Sequence, residues 1–207
     1  MYEYPKINTV FKRDLLGKLI LGDYSLPEFE YLANNAWDWT EKIDGTNIRV
    51  VWNGKSPIFK GKTDRAQIPE FLYTRLVQIF IPQIDTFKEI FNTTVDVCLY
   101  GEGYGKRIQR GGGNYRQDQS FVLFDIKIGH WWLQRKDVEI IGKNLGLDVV
   151  PIIGKGTLRD MVDTVQRGLN SKWGDFKAEG IVARPIVELR TRSGDRIITK
   201  LKNKDFI

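Results

Sequence analysis

The tightest constraint on the fold lies between residues 37 and 62, where short alternating stretches are broken by glycine turns. Residues 37–43 and 46–52 read as strands flanking Asp44-Gly45, and Asn53-Gly54 makes a second turn into 57–62. The pattern predicts a meander of three antiparallel strands. Further strands are expected at 95–101, 120–128, 180–184 and 196–202. A helix is expected at 27–34, after Ser25 as its cap, and another at 69–80, where Phe71, Leu72, Leu76, Ile79 and Phe80 recur at helical spacing. Residues 83–91 and 136–144 read as helices, the latter ending on Gly146, and 157–168 as a helix with Thr157 as N-cap and Gly168 as C-cap. The strands are spaced too irregularly for repeated parallel βαβ units, and Pro and Gly fall as turn punctuation rather than in a linker. The expectation is one α+β domain over residues 1–207, with largely antiparallel β-sheets and packed helices.

Two residue counts then narrow the chemistry. Cys98 is the only cysteine and His130 the only histidine, which excludes an intrachain disulfide, a cysteine-rich zinc site and any two-histidine metal site. Cys98 sits in an apolar alternation, the setting of a small buried hydrophobe, and His130 in a Gly129-His130-Trp131-Trp132 turn. Catalysis would therefore rest on Lys, Arg, Asp, Glu and a bound cation. The formal charge of +6 and the pI near 9.3 favour a polyanionic partner. No apolar run reaches the roughly 20 residues of a membrane span, and the N-terminus lacks the apolar core of a signal peptide. A cytoplasmic protein without a membrane partner is the expectation.

Six stretches could carry chemistry. In Glu41-Lys42-Ile43-Asp44-Gly45-Thr46-Asn47 a lysine precedes a tight turn, where it can project into a cleft while Gly45 admits close backbone approach. An ordinary exposed lysine before a hairpin has the same appearance. Strand periodicity puts Lys200 and Lys202 on one face with Leu201 on the other, so their ammonium groups repel unless an anion lies between them. A solvated edge strand fits equally well. Glu102 and Glu179 each stand beside glycine at a strand end, suited to ribose hydroxyls or to a hydrated Mg²⁺. Along 121–126, alternation places Phe121, Leu123 and Asp125 on one face and Val122, Phe124 and Ile126 on the other. Either phenylalanine could be core or the flat wall of a base pocket. The loop 105–116 carries Lys106, Arg107, Arg110 and Arg116 among glycines; it lacks the ending of a P-loop and reads as a mobile, basic loop suited to phosphodiester contacts.

Taken together, Lys42-Ile43-Asp44-Gly45, Leu99-Tyr100-Gly101-Glu102, Phe121 to Ile126, Glu179-Gly180-Ile181-Val182 and Lys200-Leu201-Lys202 resemble, in order, motifs I, III, IIIa, IV and V of the covalent nucleotidyltransferases. That superfamily holds ATP-dependent DNA ligases, RNA ligases and mRNA capping enzymes. Asn47 and the Gly61-Lys62-Thr63-Asp64-Arg65 segment resemble the RNA ligase 2-like branch. The resemblance implies a nucleotidyltransferase (ATP-grasp-like) ligase catalytic domain that uses ATP with Mg²⁺ or Mn²⁺ and acts, as a monomer, on nicked or broken RNA. DNA nicks are an alternative substrate, GTP-using capping chemistry an alternative activity, and a non-catalytic nucleic-acid-binding module the least favoured reading.

By the same resemblance Lys42 would be the nucleophile that accepts AMP, with Lys200 and Lys202 holding the α-phosphate. Glu102 would bind ribose, Phe124 would stack on adenine and Glu179 would help hold the metal. Glu41 and Asp44 would line the nucleotide site, and Asn47 would act in the later steps. Where the family commonly has Gly-Arg-Thr-Asp, this chain has Lys62, with Arg65 three residues on, so either could meet the phosphates. Lys106, Arg107, Arg110 and Arg116 would contact nucleic acid. The sequence ends five residues after Lys202, and no C-terminal accessory domain is expected in it.

Overall fold

A computed structural model describes residues 3–92 and 95–206. The strands are β1 (Asn8–Thr9), β2 (Phe11–Arg13), β3 (Leu19–Tyr24), β4 (Trp37–Lys42), β5 (Thr46–Trp52), β6 (Pro57–Lys60), β7 (Val97–Gly105), β8 (Gln119–Ile128), β9 (Trp131–Trp132), β10 (Asp148–Val149), β11 (Ile152–Gly156), β12 (Gly180–Pro185) and β13 (Thr199–Lys202). The helices are α1 (Pro27–Tyr31), α2 (Glu70–Phe80), α3 (Ile84–Ile90), α4 (Gly112–Tyr115), α5 (Arg135–Asn144) and α6 (Leu158–Gln166). The chain forms two compact units, one of residues up to Pro5 with Asp44–Val150, the other of Lys6–Ile43 with Pro151–Ile207.

In the first unit the sheet order is β10-β8-β7-β5-β6, with β9 paired on β8. Ile48, Val50 and Trp52 of β5, Val97 and Leu99 of β7, and Phe121, Leu123 and Ile126 of β8 form one apolar face. That face packs on Leu72, Leu76 and Phe80 of α2, Phe87 of α3 and Val138 of α5, so the period-2 stripe of the sheet meets the helical stripe read from the sequence. Asn47, Arg49, Cys98, Tyr100 and Glu102 alternate onto the opposite face. Burial holds the Cys98 thiol up at about 11, as its apolar setting predicts.

The second unit has the order β1-β13-β12-β4-β11, plus the β2–β3 hairpin. Trp37 and Trp39 of β4, Ile181 and Ala183 of β12 and Leu201 of β13 pack against Leu158, Met161 and Val165 of α6 and Phe29 of α1. The start of α6 is fixed as expected: Thr157 accepts from the Asp160 amide while the Asp160 carboxylate accepts from the Thr157 amide. Such a cap is worth about 1 kcal/mol.

Three expectations are corrected. The predicted three-strand meander is not formed: β4 pairs with β12 and β11, whereas β5 pairs with β6 and β7. Asp44-Gly45 carries the chain out of one sheet and into another, and only the β5–β6 hairpin at Asn53-Gly54 is as read. Alternation identifies a strand but says nothing of its partner. Ser25 does not cap α1; its hydroxyl donates to the Thr9 carbonyl, and the cap position is Leu26. Finally, a bulge interrupts β8: Tyr100 pairs with Asp125 but Gly101 with Leu123, leaving Phe124 as the extra residue. Ile126 therefore returns to the core face with Phe121 and Leu123, and Asp125 lies on the other.

Candidate active site

In the second unit three adjacent strands converge on one rung. Gly180 of β12 pairs with Lys42 of β4 on one side and Lys202 of β13 on the other. Two residues along the same face stand Thr40, Val182 and Lys200. Glu179, which precedes β12, reaches both lysines: its Oε2 lies 2.5 Å from the Lys42 Nζ and its Oε1 2.6 Å from the Lys202 Nζ. All three side chains are mostly buried, with 21%, 14% and 24% exposure for Lys42, Glu179 and Lys202. The anion beside Lys202 is, in this structure, a carboxylate of the protein itself, and the lysine that shares it is Lys42.

The rung works because it is centred on glycine. A Cβ on Gly180 would fall 2.0 Å from the Leu201 carbonyl oxygen. Asn203 fixes the entry to β12: its backbone N–H donates to the Glu179 carbonyl at 2.9 Å and its side-chain amide to the Ala178 carbonyl at 2.6 Å. Asn203 follows Lys202 directly, yet no sequence signal distinguishes it from a surface asparagine. Glu41 points to the opposite side of β4 and is 2% exposed. Its carboxylate accepts from the Ser171 hydroxyl at 2.6 Å and the Lys172 amide at 2.8 Å, so it fastens the loop before Glu179.

Other residues singled out in the sequence belong to the first unit. Asn47 and Glu102 are rung partners on β5 and β7. Gly45 packs against them so closely that a Cβ there would meet the Gly103 carbonyl oxygen at 2.3 Å and the Glu102 Cγ at 2.7 Å. Phe124, half-buried, makes an edge contact with Tyr4 at 5.1 Å, and the Tyr4 hydroxyl donates to the Asp125 carboxylate at 2.5 Å. Lys62 and Arg65 are exposed. Their turn is held by Arg49, wholly buried, which donates from Nε to the Gly61 carbonyl at 2.8 Å and from Nη2 to Asp64 at 3.0 Å. That guanidinium holds the Asp64 carboxyl below its usual range. Two buried polar atoms on this sheet, the Asn47 Oδ1 and the Arg49 Nη1, have no hydrogen-bond partner among the described residues. Orphaned buried groups of this kind fit a missing polar ligand.

The basic loop is more ordered than an open coil. It contains α4, and Tyr115, 9% exposed, lies edge-on to Tyr104 at 6.0 Å. Arg116 is paired with Asp118 at 2.5 Å, which raises its pKa, and the Arg107 guanidinium sits over the Phe71 ring at 4.5 Å. Lys106 and Arg110 are exposed. No group of three or more His, Cys, Asp or Glu side chains that could hold a metal occurs among the described residues. Glu179 nevertheless suits Mg²⁺ or Mn²⁺, since Mg²⁺ is typically held by one or two carboxylates with substrate phosphates and water.

Among known proteins, no curated sequence matches this chain. Similar solved structures are those of Naegleria gruberi RNA ligase. With pyrophosphate bound, that ligase superposes at a TM-score of 0.67 and 18% identity over 98% of this chain. A lysine-to-alanine variant with ATP and Mn gives 0.65 and 18% over 97%. This chain spans 62% and 63% of the length of those two chains. At such identity the likeness establishes the fold alone, the α+β fold of the Naegleria RNA ligase. A sequence model of the RNA ligase family matches residues 36–202, the span that holds Lys42, Glu179 and Lys202, and the chain therefore belongs to the RNA ligase family.

Proposed function

We propose that this protein is an ATP-dependent RNA ligase and that residues 1–207 form its nucleotidyltransferase domain. The observation that carries the reading is the single rung on which Lys42 and Lys202 share the Glu179 carboxylate. Lys42 attacks the α-phosphate of ATP, releasing pyrophosphate and forming a lysyl-AMP phosphoramidate. The AMP then passes to a 5′-phosphate end, and a 3′-hydroxyl displaces it to make the phosphodiester. ATP, Mn and pyrophosphate in the Naegleria ligase structures support the nucleotide choice. When bound at Glu179, a divalent cation would supply charge for the α-phosphate and would compete with the two ammonium groups for the carboxylate. Lys42 reacts only as the free amine, so the Glu179 Oε2 must leave its Nζ before the attack.

Lys200 and Lys202 hold the α-phosphate, a role in which positioning and charge neutralisation account for most of the catalysis. Glu102 binds the ribose, Phe124 stacks on the adenine and Asp44 lines the nucleotide site, whereas Glu41 serves it only indirectly, by fastening the loop before Glu179. The buried Asn47 Oδ1 finds its partner when substrate is present, in the later steps. Lys62 and Arg65 meet the phosphates from a turn that Arg49 anchors. Lys106, Arg107, Arg110 and Arg116 face nicked or broken RNA. We infer a monomer of the cell interior, in keeping with the one buried thiol.

The test is incubation with α-labelled ATP or GTP and a divalent cation, after pyrophosphate treatment to strip pre-bound AMP and removal of that pyrophosphate. A denaturation-resistant, acid-labile label from ATP, lost in Lys42→Ala, is the expected result. Absence of label from either nucleotide overturns the enzymatic reading. Sealing of nicked duplexes then fixes the substrate: equal rates with DNA or RNA on the 3′-hydroxyl side would remove RNA from the name.

A further inference from the structure

The two charged residues Glu179 and Lys202 are joined through the backbone by the residue that follows the lysine. The Asn203 N–H donates to the Glu179 carbonyl at 2.9 Å, so the peptide after Lys202 is bonded directly to the peptide after Glu179. The Asn203 side-chain amide donates to the Ala178 carbonyl at 2.6 Å, which holds the peptide before Glu179 as well. On the lysine side, the Lys202 N–H donates to the Asp205 carboxylate at 3.1 Å. The peptides on either side of both residues are thus tied down, and the ties come from the turn at 203–206.

The hydrogen-bonding capacity of the Asn203 side chain is used on backbone. Its amide nitrogen also donates to the Leu169 carbonyl at 3.2 Å, its Oδ1 accepts from the Leu169 N–H at 3.4 Å, and the residue is 9% exposed. A buried carboxamide spent in this way orders the chain rather than meeting a ligand. The position needs such a device, because Glu179 stands at the end of a loop and is followed by Gly180, which has no side chain to limit its rotation. Asp205 is fixed in turn: its other oxygen accepts from the Arg13 guanidinium at 2.8 Å, and its side chain is 4% exposed. Asn203, Asp205 and Arg13 all lie outside residues 36–202, the span that matches the RNA ligase family.

We propose that Asn203 is a positioning residue for Glu179: by fixing the peptides on both sides of the glutamate from the position next to Lys202, it sets where the carboxylate stands relative to the ammonium groups of Lys42 and Lys202. This deepens the ligase reading and rests on it. A glutamate side chain is flexible, and its carboxylate can bridge two cations only where the Cα it leaves from is held. Once Glu179 is loosened, the lysines lose their common partner and the charges that await the α-phosphate lose their alignment. A displacement of about 1 Å at a reacting centre can cost about 100-fold in rate. Asn203 is spent on backbone and not on nucleotide, so its loss should fall on the chemical step and spare the binding of ATP.

The experiment compares wild type with Asn203→Ala and with Asn203→Ser, whose hydroxyl can still donate to one carbonyl. Each is assayed well below its melting temperature, so that the molecules counted are folded. Expected for Asn203→Ala is a fall of about 10-fold in kcat for lysyl-AMP formation, with KM for ATP within about twofold of wild type and Asn203→Ser in between. Without nucleotide or metal, the ammonium protons of Lys42 and Lys202, read by NMR and protected by the shared carboxylate, should exchange with water about fivefold faster or more in Asn203→Ala. A purely structural role would lower stability and leave both the ammonium exchange and the kcat of the folded protein as in wild type; that result overturns the proposal, as does a change in KM alone. Should Asn203→Ala not fold, Asn203→Ser carries the same two readouts. If wild type takes no label from ATP, the ligase reading fails, and the positioning role still stands or falls on the ammonium exchange.

Discussion

Lys42 and Glu179, 137 positions apart in the sequence, approach to 2.5 Å, and the other oxygen of the same carboxylate lies 2.6 Å from Lys202. Three charges share a partly buried rung with a net charge of +1, a site ready to accept further negative charge. On the proposed reading, an incoming phosphate would replace the carboxylate as the common anion.

Lys202→Ala should therefore lower lysyl-AMP formation by about 100-fold, comparable to the loss of one preorganised donor to a developing anion. Lys204→Ala, two positions on and exposed, should leave it unchanged. Rapid-quench labelling with ATP measures both, and equal rates for the two variants would remove Lys202 from the site.

Gly45→Ala should destabilise the protein by about 1–3 kcal/mol, the range for overpacking a tight site. The added Cβ would face the Gly103 carbonyl oxygen at 2.3 Å, and backbone cannot swing aside as a side-chain tip can. Urea unfolding tests this, with Gly54→Ala as a contrast: Gly54 has open space around it and only its φ of 86° to strain. A Gly45→Ala variant as stable as wild type would show that the close approach is not tight in solution.

Acid should weaken the turn that carries Lys62 and Arg65. The Arg49 guanidinium beside Asp64 holds that carboxyl below its ordinary value of about 3.9. A depressed folded-state pKa contributes stability that is complete above the unfolded value and lost as pH falls through the folded one. The melting-temperature advantage of wild type over Asp64→Asn should thus be flat above about pH 5 and shrink below about pH 4. Parallel profiles down to that range would mean that the pair adds nothing to folding, as can hold for an exposed carboxylate.

The elements themselves were largely legible in the sequence, for reasons local to each. Thr46–Trp52 was bounded correctly because alternation and two flanking glycine turns agree. Gly168, at φ 89°, and Gly146, at φ 63°, lie just beyond α6 and α5, where left-handed backbone is readily available only to glycine. The placement of Lys200 and Lys202 on one face followed from strand periodicity alone. Pairing was not legible. Asp44-Gly45 looks locally like any hairpin turn, and nothing within a few residues of it says that β4 will bond to a strand some 140 positions away while β5 bonds elsewhere. The bulge at Phe124 was equally hidden, because it is a property of two paired strands and not of either sequence.

By itself the sequence determined which residue types were available for chemistry: lysines and carboxylates, one buried thiol, and no histidine pair. It also determined, through the order of its motifs, the family to which that chemistry belongs. Only the tertiary structure decided that Glu179 is the anion between Lys42 and Lys202, that Glu41 is spent on Ser171 and Lys172, that Arg49 anchors the turn of Lys62 and that Asn203 fixes the entry to β12. The reason is one of range. Propensity and periodicity act over a few residues, whereas a charge pair or a buried hydrogen bond depends on distances of about 3 Å between side chains that only chain folding brings together.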